Sequence, residues 1–334
     1  MAHVKALLDD VCVALNREGV TAERDIPLAA YTTFRIGGVA DILATATTED
    51  QVAVVVRVAR KFGTALRCIG GGSNLLVSDD GVDGIVLVNA IRGLSFEGGF
   101  AIVGAGYEWD SLVEASVSHG LGGIAGMSGI PGTVGGAVCG NAGAYGESVG
   151  DRVVSVRVVD RDGQFREIER AGLGFRYRGS ALKTSGEPIV RVQLALRPED
   201  RRAISEQRQS VLNSRAEKHP PKSALTAGSF FKNIDDAGER ARLALALGLV
   251  THERRLAAGL LLDRAGARGL RVGDAEVYSK HANIIVNRGH ATAAEVNRLA
   301  VLMKEKVRHA FGVQLQREVI WLGRGNPEGD RTGE

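Results

Sequence analysis

Residues 120–146, GLGGIAGMSGIPGTVGGAVCGNAGAYG, constrain the fold more than any other stretch of this chain. The run spends many glycines yet carries the apolar Ile130, Val134 and Val138. A structural loop is ordinarily shorter and more polar. Glycine has no Cβ, so another group can lie directly against its backbone. Such a run suits main chain lying flat against a large planar or phosphorylated ligand, with an unusual structural loop as the alternative. A second glycine cluster, CIGGGSNLLVSDDG, begins at Cys68, directly after the probable strand ALRCI. Gly70 to Gly72 can turn positive in φ and point successive N–H groups at phosphate oxygens. The cluster is not a P-loop, because no Gly-Lys-Ser/Thr follows, and it does not open a helix, because NLLV continues as strand. A tight hairpin turn is the alternative reading here.

The surrounding chain reads as α+β. Helical and strand patterns alternate early, as in ADILATA followed by TTEDQVAVVVRVARKFG, where Thr48 and Gln51 form a capping box and Gly63 closes the helix. Hairpin-like strands come later, in RVVSVRVVD, QFREIE and PIVRVQLALR. A charged helix leaves this region and stops at Pro220 and Pro221. Helical stretches at 239–248, 253–265 and 292–310 follow, with strands ANIIVN and VQLQREVIWLG. The expected organisation is an N-terminal helix and lead-in over 1–30, one domain over 31–199, a smaller one over 200–323, and a disordered tail over 324–334.

A formal charge of +3, scattered along 334 residues, argues against a nucleic-acid partner and still suits an anionic small substrate. Cys12, Cys68 and Cys139 are far apart and odd in number, which suggests reduced thiols in a cytoplasm and no metal site. The first twenty residues form an amphipathic pattern interrupted by Asp9 and Asp10, not a membrane span. A monomer is expected.

Taken in order, YTTFRIGG, IGGGSNLLVSDDG, GIPGTVGGAVCGNAGAYG, FRYRGSALK, AGSFFKN, KHANIIVN and VQLQREVIWLG resemble the UDP-N-acetylenolpyruvoylglucosamine reductases, also called UDP-N-acetylmuramate dehydrogenases. The resemblance spans roughly residues 30 to 323. It implies a vanillyl-alcohol-oxidase-type FAD-binding fold followed by a smaller α+β substrate domain. It also implies non-covalent FAD, NADPH as co-substrate, and a UDP-sugar enolpyruvyl ether as substrate. Gly71, Gly72, Ser73 and Asn74 are then expected at the pyrophosphate, and Gly132, Thr133, Gly136, Asn141 and Ala142 along the flavin and its phosphate arm. Hydride passes from flavin N5 to C3 of the substrate, and a proton must reach C2. Arg178 is implied beside the developing enolate, Glu318 at its carboxylate end, and Ser229 as proton donor. Tyr177, Lys218, Lys232 and Asn233 are expected to meet the substrate.

Each side chain has a plainer reading. Arg178 has an equally charged neighbour in Arg176, and isolated arginines usually face solvent. Glu318 alternates with apolar residues, as on a strand's solvent face. Ser229 by itself is a small residue in a half-buried strand, and His281 is taken as structural. The family often has proline where this chain has Ile234 and Arg317. No tyrosine lies between Tyr177 and Tyr278, so the chain resembles the compact class, without a tyrosine-bearing loop over the substrate. The functional alternatives are a same-fold paralogue acting on another enolpyruvyl or sugar substrate and a flavin-binding protein without turnover.

Overall fold

The computed structural model describes residues 2–249 and 254–325, and side chains from residue 6 onward. Its contacts divide the chain into two compact units. The first comprises 1–27, 39–71 and 82–217; the second comprises 28–38, 72–81 and 218 onward.

In the first unit, α1 (Ala2–Arg17) leads into β1 (Thr21–Pro27) and β2 (Val39–Ala46). Helix α2 (Glu49–Lys61) begins at the expected capping box: Gln51 N donates to Thr48 Oγ1, and Gln51 Oε1 accepts from Thr48 N. Val52, Val55 and Val56 line its buried face, and Gly63 turns the chain out at φ +63°. β3 (Leu66–Ile69) follows; β4 (Leu75–Val77) belongs to the second unit, and β5 (Val82–Asn89) returns to the first. The sheet order is β1-β2-β5-β3, antiparallel at β1–β2 and parallel elsewhere. Near-continuous burial along β2 and β5 is what parallel strands covered on both faces require. Pro27, which lacks a donor, ends the edge strand β1.

A second sheet of the same unit is antiparallel. It takes β6 (Leu94–Glu97), β7 (Phe100–Gly104), β11 (Val153–Val159), β12 (Phe165–Glu169) and β13 (Ile189–Ala195) in the order β12-β11-β13-β7-β6. Helices α3 (Trp109–Ser118) and α4 (Val134–Cys139) contribute Trp109, Leu112, Val134 and Val138 to its core. Short pairs complete the unit: β8 (Leu121–Gly122) with β14 (Arg197–Pro198), and β9 (Gly143–Ala144) with β10 (Glu147–Ser148). Helices α5 (Ala181–Ser185) and α6 (Arg201–Lys218) flank β13 in the chain.

The second unit holds α7 (Ala237–Ala246), α8 (Ala258–Arg264), the meander β15 (Arg271–Val272), β16 (Ala275–Val277), β17 (Ile285–Asn287), then α9 (Ala293–Phe311) and β18 (Ile320–Leu322). β18 pairs in parallel with β4. Phe34 and Leu76, from the two early segments, are fully buried in this unit's core with Phe230, Phe231 and Leu299. Asp79 accepts from Ala293 N and Ala294 N at 2.8 and 3.0 Å, an acid placed at the N-terminus of α9.

Several expectations change. The Gly70–Gly72 turn is not a hairpin, because β3 pairs with β5 and β4 with β18. The helix expected over 253–265 starts only at Ala258: Leu256 exchanges backbone hydrogen bonds with Ile234, which takes it out of any helix. Residues 250–253 lie outside the described residues, as does 326–334 of the expected tail. Arg324 is ordered, with N bonded to Gly81 O and Nη1 to Asp80 O. The strand expected over VQLQREVIWLG shortens to Ile320–Leu322, because residues 316–318 bond instead to 230–232. Among the described residues no helix is long and apolar enough to cross a membrane.

Candidate active site

In the first unit the two glycine clusters meet. A Cβ on Gly70 would lie 2.1 Å from Thr133 Oγ1, and one on Gly71 would lie 3.3 Å from Gly132 Cα. A side chain at 70 would collide with Thr133, and one at 71 would crowd Gly132. The run is itself pinned, with Trp109 N bonded to Gly132 O, Val134 N to Tyr107 O and Gly135 N to Ala105 O. Thr133 then caps α4, accepting from Gly136 N at 3.4 Å.

α4 has two unlike sides. Val134, Gly135, Ala137 and Val138 are buried, and a Cβ on Gly135 would meet Ala105 Cβ at 2.9 Å. Gly136 is exposed, and nothing lies nearer to its Cβ position than Thr133 Oγ1 at 3.5 Å. Cys139 and Gly140 are half-exposed beside it. Cys68, on β3, has accessible surface, yet burial pushes its thiol up to about 12, with Cys139 adding to the rise and a hydrogen bond from Asn89 opposing it. Gly136 and Gly140 leave bare backbone open on this side of α4, which suits a flat aromatic ligand carrying a phosphate arm.

Asn141 sits at φ +43° and is nearly buried; its Oδ1 accepts from Gly150 N and its Nδ2 donates to Arg176 O, both at 2.9 Å. Its amide is thus occupied in bracing the loop, as Ala142 is in packing against the core. The brace reaches the turn that carries Tyr177 and Arg178. Arg176 and Gly179 exchange backbone bonds, and the fully buried Ser180 donates to Cys139 O at 2.8 Å. Arg178 stands at the tip with φ +54°, a conformation that costs a non-glycine residue about 1–2 kcal/mol. Its Nη2 donates to Gly143 O at 3.0 Å, and its guanidinium lies 5.3 Å from the Tyr177 ring centre. The two arginines therefore differ: Arg176 is exposed, whereas Arg178 is half-buried and oriented.

The second unit gathers Ser229, Lys232, Glu318 and Asn74. The segment from Ser229 to Lys232 lies between two neighbours. Phe230 N bonds Asn283 O, and Ser229 bridges Ile284; on the other side Glu318 N bonds Phe230 O at 2.8 Å and Lys232 N bonds Gln316 O. Asn283, 2% exposed, clamps Phe231 from both ends, accepting from its N at 2.9 Å and donating to its O at 2.8 Å. Ser229 is half-buried, and among the described residues its Oγ makes no hydrogen bond. Asn74 Nδ2 donates to Glu318 O at 3.2 Å, and Asn74 O accepts from Ile320 N. A Cβ on Gly72 would lie 2.1 Å from Tyr31 O, so this glycine serves packing. Ser73 is half-buried beside it.

Asn233 Oδ1 accepts from Ala258 N at 3.1 Å, at the start of α8. Lys218 ends α6 and is exposed; it lies near His281, whose pKa is lowered by burial and further by Arg268 and Lys218. The His281 ring is 5.2 Å from that of His219. Arg317 stacks over Phe230 at 5.2 Å and donates to Asn297 Oδ1 at 2.7 Å, a role proline lacks. Ile234 likewise uses the N–H a proline would not have, donating to Leu256 O at 2.9 Å. Sequence reasoning missed Asn283, whose one signal is a polar residue interrupting the apolar run of KHANIIVN.

Known proteins align with both units. The family described as "UDP-N-acetylenolpyruvoylglucosamine reductase, C-terminal domain" matches residues 219–322, and "FAD binding domain" matches 40–169. The UDP-N-acetylenolpyruvoylglucosamine reductase of Moorella thermoacetica is 37% identical over 96% of this chain and 98% of its own. That of Solibacter usitatus is 37% identical over 89% and 95%. The crystal structure of the Thermus caldophilus UDP-N-acetylenolpyruvylglucosamine reductase superimposes with a TM-score of 0.72 at 33% identity, covering 91% of this chain and 99% of that one.

Proposed function

Because this chain belongs to the UDP-N-acetylenolpyruvoylglucosamine reductase family, we propose that it reduces a UDP-sugar enolpyruvyl ether to UDP-N-acetylmuramate for peptidoglycan precursor synthesis, with FAD bound and NADPH as reductant. The observation that carries the reading is Ser229: a hydroxyl that makes no hydrogen bond among the described residues, on a backbone clamped from both sides, one strand away from Glu318. FAD supplies hydride-transfer chemistry when bound.

The chain's own residues do the rest. Gly71, Gly132, Thr133 and Gly136 give the cofactor bare backbone, with Gly72, Ser73 and Asn74 continuing the pyrophosphate turn and Asn141 and Ala142 holding the loop beneath it. Reduction adds hydride at C3 and leaves negative charge over C2 and the carboxylate. Arg178 stabilises that charge, its cost in backbone strain already met in the folded state. Ser229 donates a proton to C2, and Glu318 holds the carboxylate end. Tyr177, Lys218, Lys232 and Asn233 bind the UDP-sugar. The protein works as a cytoplasmic monomer on a small anionic substrate, without nucleic-acid or membrane partners.

The test is NADPH oxidation by the purified yellow protein, with and without UDP-N-acetylglucosamine enolpyruvate. Oxidation that depends on this compound and yields UDP-N-acetylmuramate is expected. A protein that releases no FAD on denaturation, or an NADPH oxidation rate indifferent to the compound, would overturn the reading.

A further inference from the structure

Glu318 sits on an irregularity of its own strand. Phe230 O accepts from Glu318 N at 2.8 Å and from Val319 N at 3.4 Å, so two residues stand opposite one. That is a β-bulge, a device that re-aims a side chain and recurs beside functional sites. The residue just before it is Arg317. It bridges Phe231, between the ladder bonds Lys232 N–Gln316 O and Glu318 N–Phe230 O.

The Arg317 guanidinium ties three segments of the second unit together. Its Cζ lies 5.2 Å from the ring centre of Phe230, the residue opposite the bulge. Its Nη2 donates to Asn297 Oδ1 at 2.7 Å, and Asn297 is a buried residue of α9. That helix is a fixed anchor, capped by Asp79 and by the Thr292–Glu295 box. The neighbours of Arg317 along and across the strands, Leu315, Val319, Phe230 and Phe231, are all buried in the apolar core. A charge among such side chains is costly unless its hydrogen bonds are met. Filling space there would need only a long apolar side chain such as methionine. What the cation adds is direction, through a charge-assisted bond to a helix and a contact with one ring face.

We propose that Arg317 is a positioning residue for Glu318. It bolts the bulge to α9 and to the strand of Ser229, and so holds the Glu318 carboxyl group at the carboxylate end of the substrate. This rests on the reading that Glu318 acts there. Where the family often has proline, whose ring restrains the backbone directly, this chain supplies the restraint from a side chain. Arg317 acts only through Glu318, so its effect must vanish when that carboxyl group is removed.

The holoenzyme is compared with R317M, R317K, E318Q and the double variant R317M/E318Q, after FAD content and melting temperature are checked. R317M should keep its FAD and its rate of flavin reduction by NADPH. Its reoxidation by UDP-N-acetylglucosamine enolpyruvate should slow about tenfold, short of the ~10²-fold that a 1 Å misplacement can cost. R317K, which keeps the charge without the planar fork, should fall between R317M and the parent. R317M/E318Q should be no slower than E318Q. Normal reoxidation in R317M, equal slowing of both half-reactions, or additive penalties in the double variant would overturn the proposal. Should R317M lose its FAD, the same cycle is run with R317K and R317K/E318Q. Amide hydrogen exchange gives a readout without turnover. The peptide carrying Glu318 and Val319 should exchange about tenfold faster in R317M, with β1 and β2 unchanged, and an unaltered rate at that peptide would also overturn the proposal. A parent that shows this protection yet ignores the enolpyruvyl compound would instead refute the functional reading.

Discussion

Ser229 carries a hydroxyl that makes no hydrogen bond among the described residues, on a backbone segment that has several. Its flanking residue Phe230 bonds Asn283 on one side and Glu318 on the other, so the backbone that carries Oγ is fixed. A serine is a weak acid, but an enolate carbon is a strong base, and a positioned O–H can protonate it as charge develops. Losing a general acid typically costs about 10²–10⁴-fold. Ser229→Ala should therefore leave FAD content and NADPH-driven flavin reduction nearly unchanged and slow reoxidation by the enolpyruvyl substrate by that factor, with Ser229→Cys retaining more. Rapid mixing separates the half-reactions. Slow flavin reduction with normal reoxidation would remove Ser229 from this role. At this scale the sequence was legible for residue type and silent on context: FRYRGS offers two arginines, and only the fold leaves Arg176 exposed and turns Arg178 inward.

At the scale of elements, α4 is a helix in which neighbouring glycines have opposite duties. Gly135 meets Ala105 across the core, whereas Gly136 has open space ahead of it. Gly136→Leu should abolish FAD retention while leaving the urea midpoint of the apo protein within about 0.5 kcal/mol of the parent, as for a surface change. Gly135→Leu should destabilise the apo protein by about 1–3 kcal/mol through overpacking. If Gly136→Leu kept its FAD, the open face of α4 would not be the flavin's bed. The glycine run announced a close approach, but its spelling does not say which glycine admits a ligand and which admits another strand. The helix boundaries divide in the same way. α2 was readable because its capping box lies within four residues, while α8 was overestimated because Leu256 answers to Ile234, far away in sequence.

At the scale of the molecule, the second unit is not a C-terminal fragment. Phe34 and Leu76 are fully buried in its core, β4 is the partner of β18, and Asp79 caps α9. Burying two such side chains contributes roughly 1.5–3 kcal/mol each, a large share of the ~5–15 kcal/mol that holds a domain together. A fragment of residues 200–334 should accordingly show no cooperative thermal transition by calorimetry, and a sharp transition would show that the early segments are dispensable. The sequence by itself determined the family, the α+β class and the FAD requirement. Those depend on what each residue lacks or can donate, which is written at its own position. Only the tertiary structure decided that Gly70 and Gly71 lie on Gly132 and Thr133, and that Asn283 fixes Ser229's strand. It also decided that Arg208, on α6, pairs with Asp110, on α3. Each of these is a relation between positions distant in the chain, set by strand pairing and core packing, and no local pattern of residues encodes which distant surface a side chain will face.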